Sequence, residues 1–127
     1  MKKLLFIVLT VIAGSAQAYT SNALFEDCQR AESEFSSAGN ESPKHSPQGE
    51  RCINYIDGFA DGYTVGNFLA DKVGVKLNAF CLPKTTDLTL RMVRAVVIHI
   101  GHAPPGSTAS SSTLVAGALT KTFPCSD

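Results

Sequence analysis

The segment from residue 50 to residue 71 reads ERCINYIDGFADGYTVGNFLAD, and it decides the fold. Its apolar side chains recur three and four residues apart, which is the period of one face of an α-helix. The stripe consists of Cys52, Ile56, Phe59 and Tyr63, with Ile53, Ala60 and Phe68 beside it. Strands average about 5–6 residues, so a pattern of this length predicts a long helix with one buried side.

Three glycines lie on one face of the same predicted helix. Gly58, Gly62 and Gly66 are spaced four residues apart, and each costs about 0.8–1 kcal/mol relative to alanine in a helix interior. The close approach of a neighbouring helix would offset this cost, either within the fold or across a dimer interface. Because Tyr55 shares the face, we predict that these four residues form a helix-packing or dimer face.

Three further segments have the same helical period. Residues 22–36 and 87–102 each carry one apolar stripe, and a last helix follows the serine and threonine cluster that ends at Thr113. The stripes consist of Leu24, Phe25, Cys28, Ala31 and Phe35, then Leu90, Val93, Val97 and Ile100, then Leu114, Val115, Ala118, Leu119 and Phe123. Residues 36–49, rich in glycine, proline and serine, predict an exposed loop. We therefore predict an all-α fold, a small bundle of four to five helices.

Four cysteines, at positions 28, 52, 81 and 125, predict two disulfides. An even number of cysteines in a small exported domain is typical of disulfide bonding, and three pairings are possible. We favour Cys28 with Cys52, which would join two sequential helices, and Cys81 with Cys125, which would tie the chain end to the start of a helix. A zinc site would require closely spaced ligand pairs, which the sequence lacks. We expect no metal and no other cofactor.

The first eighteen residues have the layout of a secretory signal peptide. Lys2 and Lys3 precede an apolar run over residues 4–12, and small residues end the segment at Ala18. The apolar run is shorter than the roughly twenty residues that cross a bilayer. We predict cleavage after Ala18, export to the periplasm, and a mature helical domain of residues 19–127 that has no membrane association.

The mature chain has nine basic and eleven acidic residues, since cleavage removes Lys2 and Lys3 from the eleven basic residues of the precursor. The resulting net charge of −2 indicates no affinity for nucleic acid or for an anionic membrane.

Residues able to carry chemistry are few. Asp57 and Asp61, four apart on the long helix, are interpreted as a solvated acidic face that a partner could contact. His99 and His102 lie near a helix end, where a charged imidazole would interact favourably with the helix dipole. His45 lies in the first loop without a companion. With all four cysteines assigned to disulfides, the sequence argues against an enzyme.

Several motifs together resemble a known family. They are Cys52-Ile53-Asn54-Tyr55-Ile56-Asp57-Gly58, Gly62, Cys81-Leu82-Pro83, His102, Ala118-Leu119 and Phe123-Pro124-Cys125. In combination with the signal peptide, this set resembles the Tai/Rap family of type VI secretion amidase immunity proteins. The resemblance spans residues 28–125.

The resemblance implies a function in binding. Members of the family are periplasmic helical proteins, often homodimers, that bind a peptidoglycan amidase injected by neighbouring cells and block its cysteine and histidine active site. They carry out no chemistry. A periplasmic chaperone or structural accessory protein remains the alternative, since it would also be small, helical and free of catalytic residues. A chaperone would bind many unfolded clients through exposed apolar surface.

A segment that plugs an enzyme cleft must protrude and be stiff, because ordering a flexible loop opposes binding. The predicted effector-binding loop consists of His102, Ala103, Pro104, Pro105, Gly106, Ser107, Thr108 and Ser110. Its prolines restrict the backbone, its glycine allows a tight turn, and its hydroxyls offer hydrogen bonds. The alternative is an ordinary helix connection with an N-cap serine. Residues 39–49 form a second, less constrained candidate loop.

Overall fold

A computed structural model describes residues 18–104 and 107–126 of the protein. Within these ranges the chain forms four α-helices and no strand: α1 (Ser21–Ala38), α2 (Pro47–Asp71), α3 (Leu88–Gly101) and α4 (Ser111–Thr122). The predicted all-α bundle is confirmed, with four helices. The predicted signal peptide, apart from Ala18, lies outside the described residues. None of the helices in the described ranges is both long and apolar enough to cross a membrane.

Hydroxyl side chains begin three of the four helices. Thr20, Ser46 and Ser110 are the N-caps of α1, α2 and α4, and each accepts a hydrogen bond of 3.2 Å from the backbone N–H three residues later. Such a bond satisfies one of the donors that a helix start leaves unpaired. Asp87 precedes α3 as predicted, but its side chain makes no capping bond.

The start of α2 differs from the prediction. The glycine, proline and serine content of residues 36–49 predicts a loop, yet α2 begins at Pro47 rather than at Glu50. Proline suits the first helical position, because its fixed φ is helical and the N–H that it lacks would have no partner there. With Ser46 as the N-cap, a proline that usually breaks helices begins one instead.

The core lies where the helical stripes meet. α1 packs against α2 and α3, and α3 packs against α4. The largest fully buried side chains are Leu24, Cys28, Cys52, Ile56, Val93, Val96, Val115 and Leu119. Phe80, from the segment after α2, is also buried and stacks on Tyr63 with ring centroids 4.0 Å apart. Phe68, which the sequence places beside the buried stripe, is 59% exposed, since α2 extends beyond the helices that cover its first half.

Both predicted disulfides are present. Cys28–Cys52 joins α1 to α2 inside the core, and Cys81–Cys125 joins the segment after α2 to the chain end. A backbone hydrogen bond of 2.8 Å from the N–H of Cys81 to the carbonyl of Phe123 supports the second bridge. Cys28 and Cys52 are fully buried, whereas Cys81 is exposed. One bridge therefore belongs to the core and the other to the surface.

Candidate binding surface

The predicted binding loop between α3 and α4 is held at both ends. At the end of α3, the Nδ1 atom of His102 donates a 2.7 Å hydrogen bond to the carbonyl of Ile98, so Nδ1 carries a proton. At the start of α4, the hydroxyl of Ser110 caps the helix. Between them, the N–H of Ser107 donates to the carbonyl of Pro104 at 3.1 Å. Hydrogen bonds therefore fix the residues at both ends of the loop.

Several described residues of the loop are exposed to solvent. Pro104, Ser107 and Thr108 are exposed, whereas Ala103 and Ala109 are half-buried and face the helices. Pro105 and Gly106, which belong to the predicted binding loop, lie outside the described residues. The hydroxyls of Ser107 and Thr108 make no hydrogen bond to any described residue.

Ser110 matches the alternative interpretation, in which a serine caps the last helix. Besides accepting from the N–H of Thr113, its hydroxyl lies 2.9 Å from the hydroxyl of Thr113 and 3.0 Å from that of Ser112. The hydroxyls that remain available to a partner are those of Ser107 and Thr108.

A groove of about 670 Å³ runs beside this loop, between the second half of α3 and α4. We call it the α3–α4 groove. Ala95, Leu114 and Ala118 line it together with Ile98, whose side chain is 58% exposed. The ionisable side chains among its described lining residues are His99, His102 and Lys121. Sequence reasoning missed this groove, because its shape depends on how α3 and α4 pack together.

Gly117 shapes the wall of the α3–α4 groove. A Cβ atom at this position would lie 2.7 Å from the Nε2 atom of His99, closer than real contacts allow. The absence of a side chain therefore lets the imidazole lie against the backbone of α4. Our interpretation of the two histidines as helix-end residues holds for His102, which bonds the last turn of α3, whereas His99 packs across to α4.

The predicted glycine face of α2 is open within the chain. Cβ atoms added at Gly58 and Gly62 would meet nothing within 4 Å, and one at Gly66 would meet only the tip of Leu77. No neighbouring helix among the described residues packs on these glycines, so the first alternative, packing within the fold, is wrong here. Tyr55 differs, since its ring packs edge-on against Tyr19 at 5.1 Å. The dimer alternative stays a prediction.

The family model of Rap1a immunity proteins matches residues 20–125 of the chain, a span that includes all four helices and all four cysteines. The chain belongs to the Rap1a immunity protein family. This confirms the resemblance to the Tai/Rap family and supports the role of an immunity protein against a type VI effector. Comparisons with curated proteins and with solved structures each give no match.

Two clusters of hydrogen-bonded side chains were not predicted from the sequence. In the first, the buried carboxylate of Asp27 accepts hydrogen bonds from Arg51 and from the hydroxyl of Tyr19, and Ser111 donates to the carbonyl of Tyr19. Burial and then the bond to Asp27 raise the pKa of Tyr19 well above its ordinary value. The available signal was the position of Asp27 on the buried stripe, three residues after Leu24. This cluster joins the segment before α1 to α1, α2 and α4.

The second cluster corrects the prediction for His45, which does have companions. Its Nδ1 atom lies 3.1 Å from a carboxylate oxygen of Glu34, and its ring packs edge-on against Phe35 at 4.6 Å. Glu34 also accepts a 3.2 Å hydrogen bond from the N–H of Ser46. Burial alone would raise the pKa of Glu34, but the hydrogen bonds from Ser46 and His45 outweigh it and lower that pKa. The loop before α2 is therefore fastened to α1.

Immunity families of this kind are generally non-enzymatic. The acidic pair of α2 lies at the surface. Asp57 is half-buried and Asp61 is exposed, and both line a shallow cleft of about 240 Å³. Burial and then the charge of Asp61 raise the pKa of Asp57. No histidine, cysteine or lysine is among the described residues that line this cleft. Across residues 18–104 and 107–126, no three potential ligand side chains converge to hold a metal ion.

Proposed function

We propose that this Rap1a protein is exported to the periplasm, where it binds and inhibits a type VI secretion peptidoglycan amidase and thereby protects the producing cell and its kin. The observation that carries the proposal is the family match over residues 20–125. The family supports an immunity function, while the amidase target follows from the resemblance to the Tai/Rap proteins. Export is supported by the signal-like layout of residues 1–18 and by two disulfides, which persist in oxidising compartments.

Inhibition would work by occlusion. The α3–α4 loop presents the exposed residues Pro104, Ser107 and Thr108 between two helix ends that hold it in place. Little ordering entropy is then lost when the loop enters a cleft, which favours tight binding. The hydroxyls of Ser107 and Thr108, which bond to no described residue, would hydrogen-bond to the polar groups of the amidase active site, so the substrate could not reach its cysteine and histidine.

The protein would act through contact alone. The half-buried carboxylate of Asp57 has a raised pKa, but no histidine, cysteine or lysine is among the described residues that line its cleft. The four cysteines are paired in disulfides and so supply no thiolate. We therefore propose an inhibitor without enzymatic activity and without a cofactor.

A homodimer formed through α2 is part of the proposal. The open glycines at positions 58 and 62 are followed along the same face by the exposed apolar residues Val65 and Leu69, and Val73, in the turn after α2, is also exposed. Glycines allow two helix backbones to approach closely, and the apolar residues would lose contact with water in the interface. Such a dimer leaves the α3–α4 loop, on other helices, available to the effector.

The same apolar surface favours one other function. Val65, Phe68, Leu69, Val73 and Val75 are each at least half exposed, and patches of this kind also occur on proteins that bind unfolded chains. A periplasmic chaperone or structural accessory protein is therefore the second candidate. It would recognise many clients rather than one folded enzyme.

Complex formation separates the two functions. Mature protein of residues 19–127 is mixed with each member of a panel of purified type VI amidases, and separately with a reduced, unfolded protein, and the complexes are measured by size-exclusion chromatography with light scattering. The proposal expects one amidase to form a stable complex with one immunity chain per amidase and the unfolded protein to remain free. If the unfolded protein is bound and no amidase is bound, the chaperone function replaces the immunity proposal.

A further inference from the structure

The α3–α4 groove is continuous with the proposed binding loop. His102, Pro104 and Ser107 belong to both, so a partner that contacts the loop also meets one end of the groove. From there the groove follows α4 to Lys121 and Thr122, in its last turn. At about 670 Å³ it is large enough for several side chains of a bound segment. A partner seated on the loop therefore has a second surface within reach.

The groove offers apolar contact along its length. Ala95, Leu114 and Ala118 provide small and aliphatic groups, and the absence of a side chain at Gly117 lets the Nε2 end of the His99 ring approach the backbone of α4. Ile98 lies beside them and is 58% exposed, although Met92, Val93, Ala95 and Val96 of the same helix are buried. When a partner covers an exposed isoleucine next to a concave apolar surface, apolar area is removed from water and the free energy of binding becomes more favourable.

The charge of the groove has one sign. Its ionisable side chains are His99, His102 and Lys121, and neither an aspartate nor a glutamate is among its described lining residues. The mature chain as a whole carries a net charge of −2, so this basic groove contrasts with the rest of the protein. Complementary potentials across an interface favour the correct partner and speed association.

We propose that the α3–α4 groove binds a segment of the effector in which an apolar side chain lies close to an aspartate or glutamate. The apolar side chain packs beside Ile98 on the floor of the groove, and the carboxylate pairs with Lys121. This inference rests on the proposed function and extends it. The loop blocks the catalytic cleft, whereas the groove selects one effector by binding an acidic segment beside that cleft.

Charge reversal at Lys121 tests the proposed pairing of this lysine with a carboxylate of the effector. Lys121→Glu is compared with Lys84→Glu, an exposed lysine outside the groove that changes the net charge by the same amount. The Kd for the amidase that binds the mature protein is measured at low and high salt. We expect Lys121→Glu to raise Kd by about tenfold or more at low salt, with a smaller increase at high salt, and Lys84→Glu to leave it within about twofold. Equal effects of the two variants would overturn the proposal.

Photo-crosslinking locates the segment without changing any charge. A benzophenone amino acid replaces Ile98 in the groove or, as a control, Phe68 on α2, which is equally exposed. Crosslinks from position 98 should fall on an amidase peptide that contains an acidic residue, and position 68 should give none to that peptide. If the amidase binds but position 98 crosslinks to nothing, or to a peptide without acidic residues, the groove proposal fails and the proposed function stands. If no amidase binds the unmodified protein, both fail.

Discussion

The buried carboxylate of Asp27 on α1 accepts two hydrogen bonds from the guanidinium of Arg51 on α2, each 3.0 Å long. A third, of 2.6 Å, comes from the hydroxyl of Tyr19. A charge that is only 4% exposed needs such partners, because an unpaired buried carboxylate is strongly disfavoured. The three donors come from α2 and from the segment before α1, so Asp27 joins both to the α1 core.

Replacing Asp27 with alanine should lower the free energy of unfolding by about 2–3 kcal/mol, because the Tyr19 hydroxyl and the Arg51 guanidinium lose their shared acceptor. Urea denaturation of the mature protein measures this change. Glu26→Ala is the matched control, since its side chain is exposed on the same helix and should change stability by no more than about 0.5 kcal/mol. A similar loss in both variants would show that the cluster contributes nothing specific.

Glu34→Gln should make the stability of the fold depend less on pH in the acidic range. The folded-state pKa of Glu34 lies below its ordinary value of 4.5, so the unfolded state takes up the proton first as the pH falls. The stabilisation from Ser46 and His45 is thus present above pH 4.5 and is lost as the pH falls through the lower folded pKa. Thermal unfolding between about pH 5.5 and about pH 3 should show a smaller fall in Tm for Glu34→Gln than for the unmodified protein. Glu41→Gln, exposed beyond the end of α1, should follow the unmodified protein instead.

Two glycine-to-alanine substitutions in α2 should have opposite effects on stability. A Cβ at Gly49 would overlap the Oε2 atom of Glu34, which contacts His45, and the other oxygen of this carboxylate is held by the N–H of Ser46, so Gly49→Ala should lower stability by about 1–2 kcal/mol. Gly62→Ala meets nothing within 4 Å and should raise the stability of the monomer by about 0.5–1 kcal/mol.

Both variants are measured by urea denaturation at low protein concentration, and Gly62→Ala also by sedimentation equilibrium. If the glycine face forms the dimer, Gly62→Ala should weaken self-association while stabilising the single chain. Unchanged self-association would remove the glycines from the interface.

The two disulfides should be reduced in a fixed order. Cys81 is exposed, whereas Cys28 and Cys52 are fully buried, so a thiolate reaches the second bridge without unfolding the core. Alkylation and peptide mapping after mild reduction should label Cys81 and Cys125 first. In the chain-entropy relation, a sequence separation of 24 gives a stabilisation of about 3.5 kcal/mol for Cys28–Cys52, and a separation of 44 gives about 4 kcal/mol for Cys81–Cys125. Early labelling of Cys28 would mean that the α1–α2 contact opens more easily than its burial indicates.

The sequence was sufficient to predict the four helices and both disulfides, because stripes such as Leu24 to Ala31 reflect burial directly and each cysteine lies near a predicted helix. The partners of Asp27 and His45 were not predictable, since they come from other helices and loops whose arrangement sets the distances. The start of α2 at Pro47 was missed because a proline-rich composition was given more weight than a favourable capping pair. The α3–α4 groove depends on the packing of His99 across to Gly117, which no local pattern shows.

The most direct test of the central claim is the rate of peptidoglycan hydrolysis by the bound amidase at increasing amounts of the mature protein. It is run beside a variant with residues 104–107 replaced by glycines and a control with the exposed residues 84–86, outside both candidate loops, replaced in the same way. The account predicts that the mature protein and the control stop the enzyme at near-stoichiometric amounts, whereas the 104–107 variant folds but does not inhibit. Full inhibition by the 104–107 variant would contradict the role of the α3–α4 loop, and an amidase that stays active when saturated with the mature protein would contradict inhibition itself.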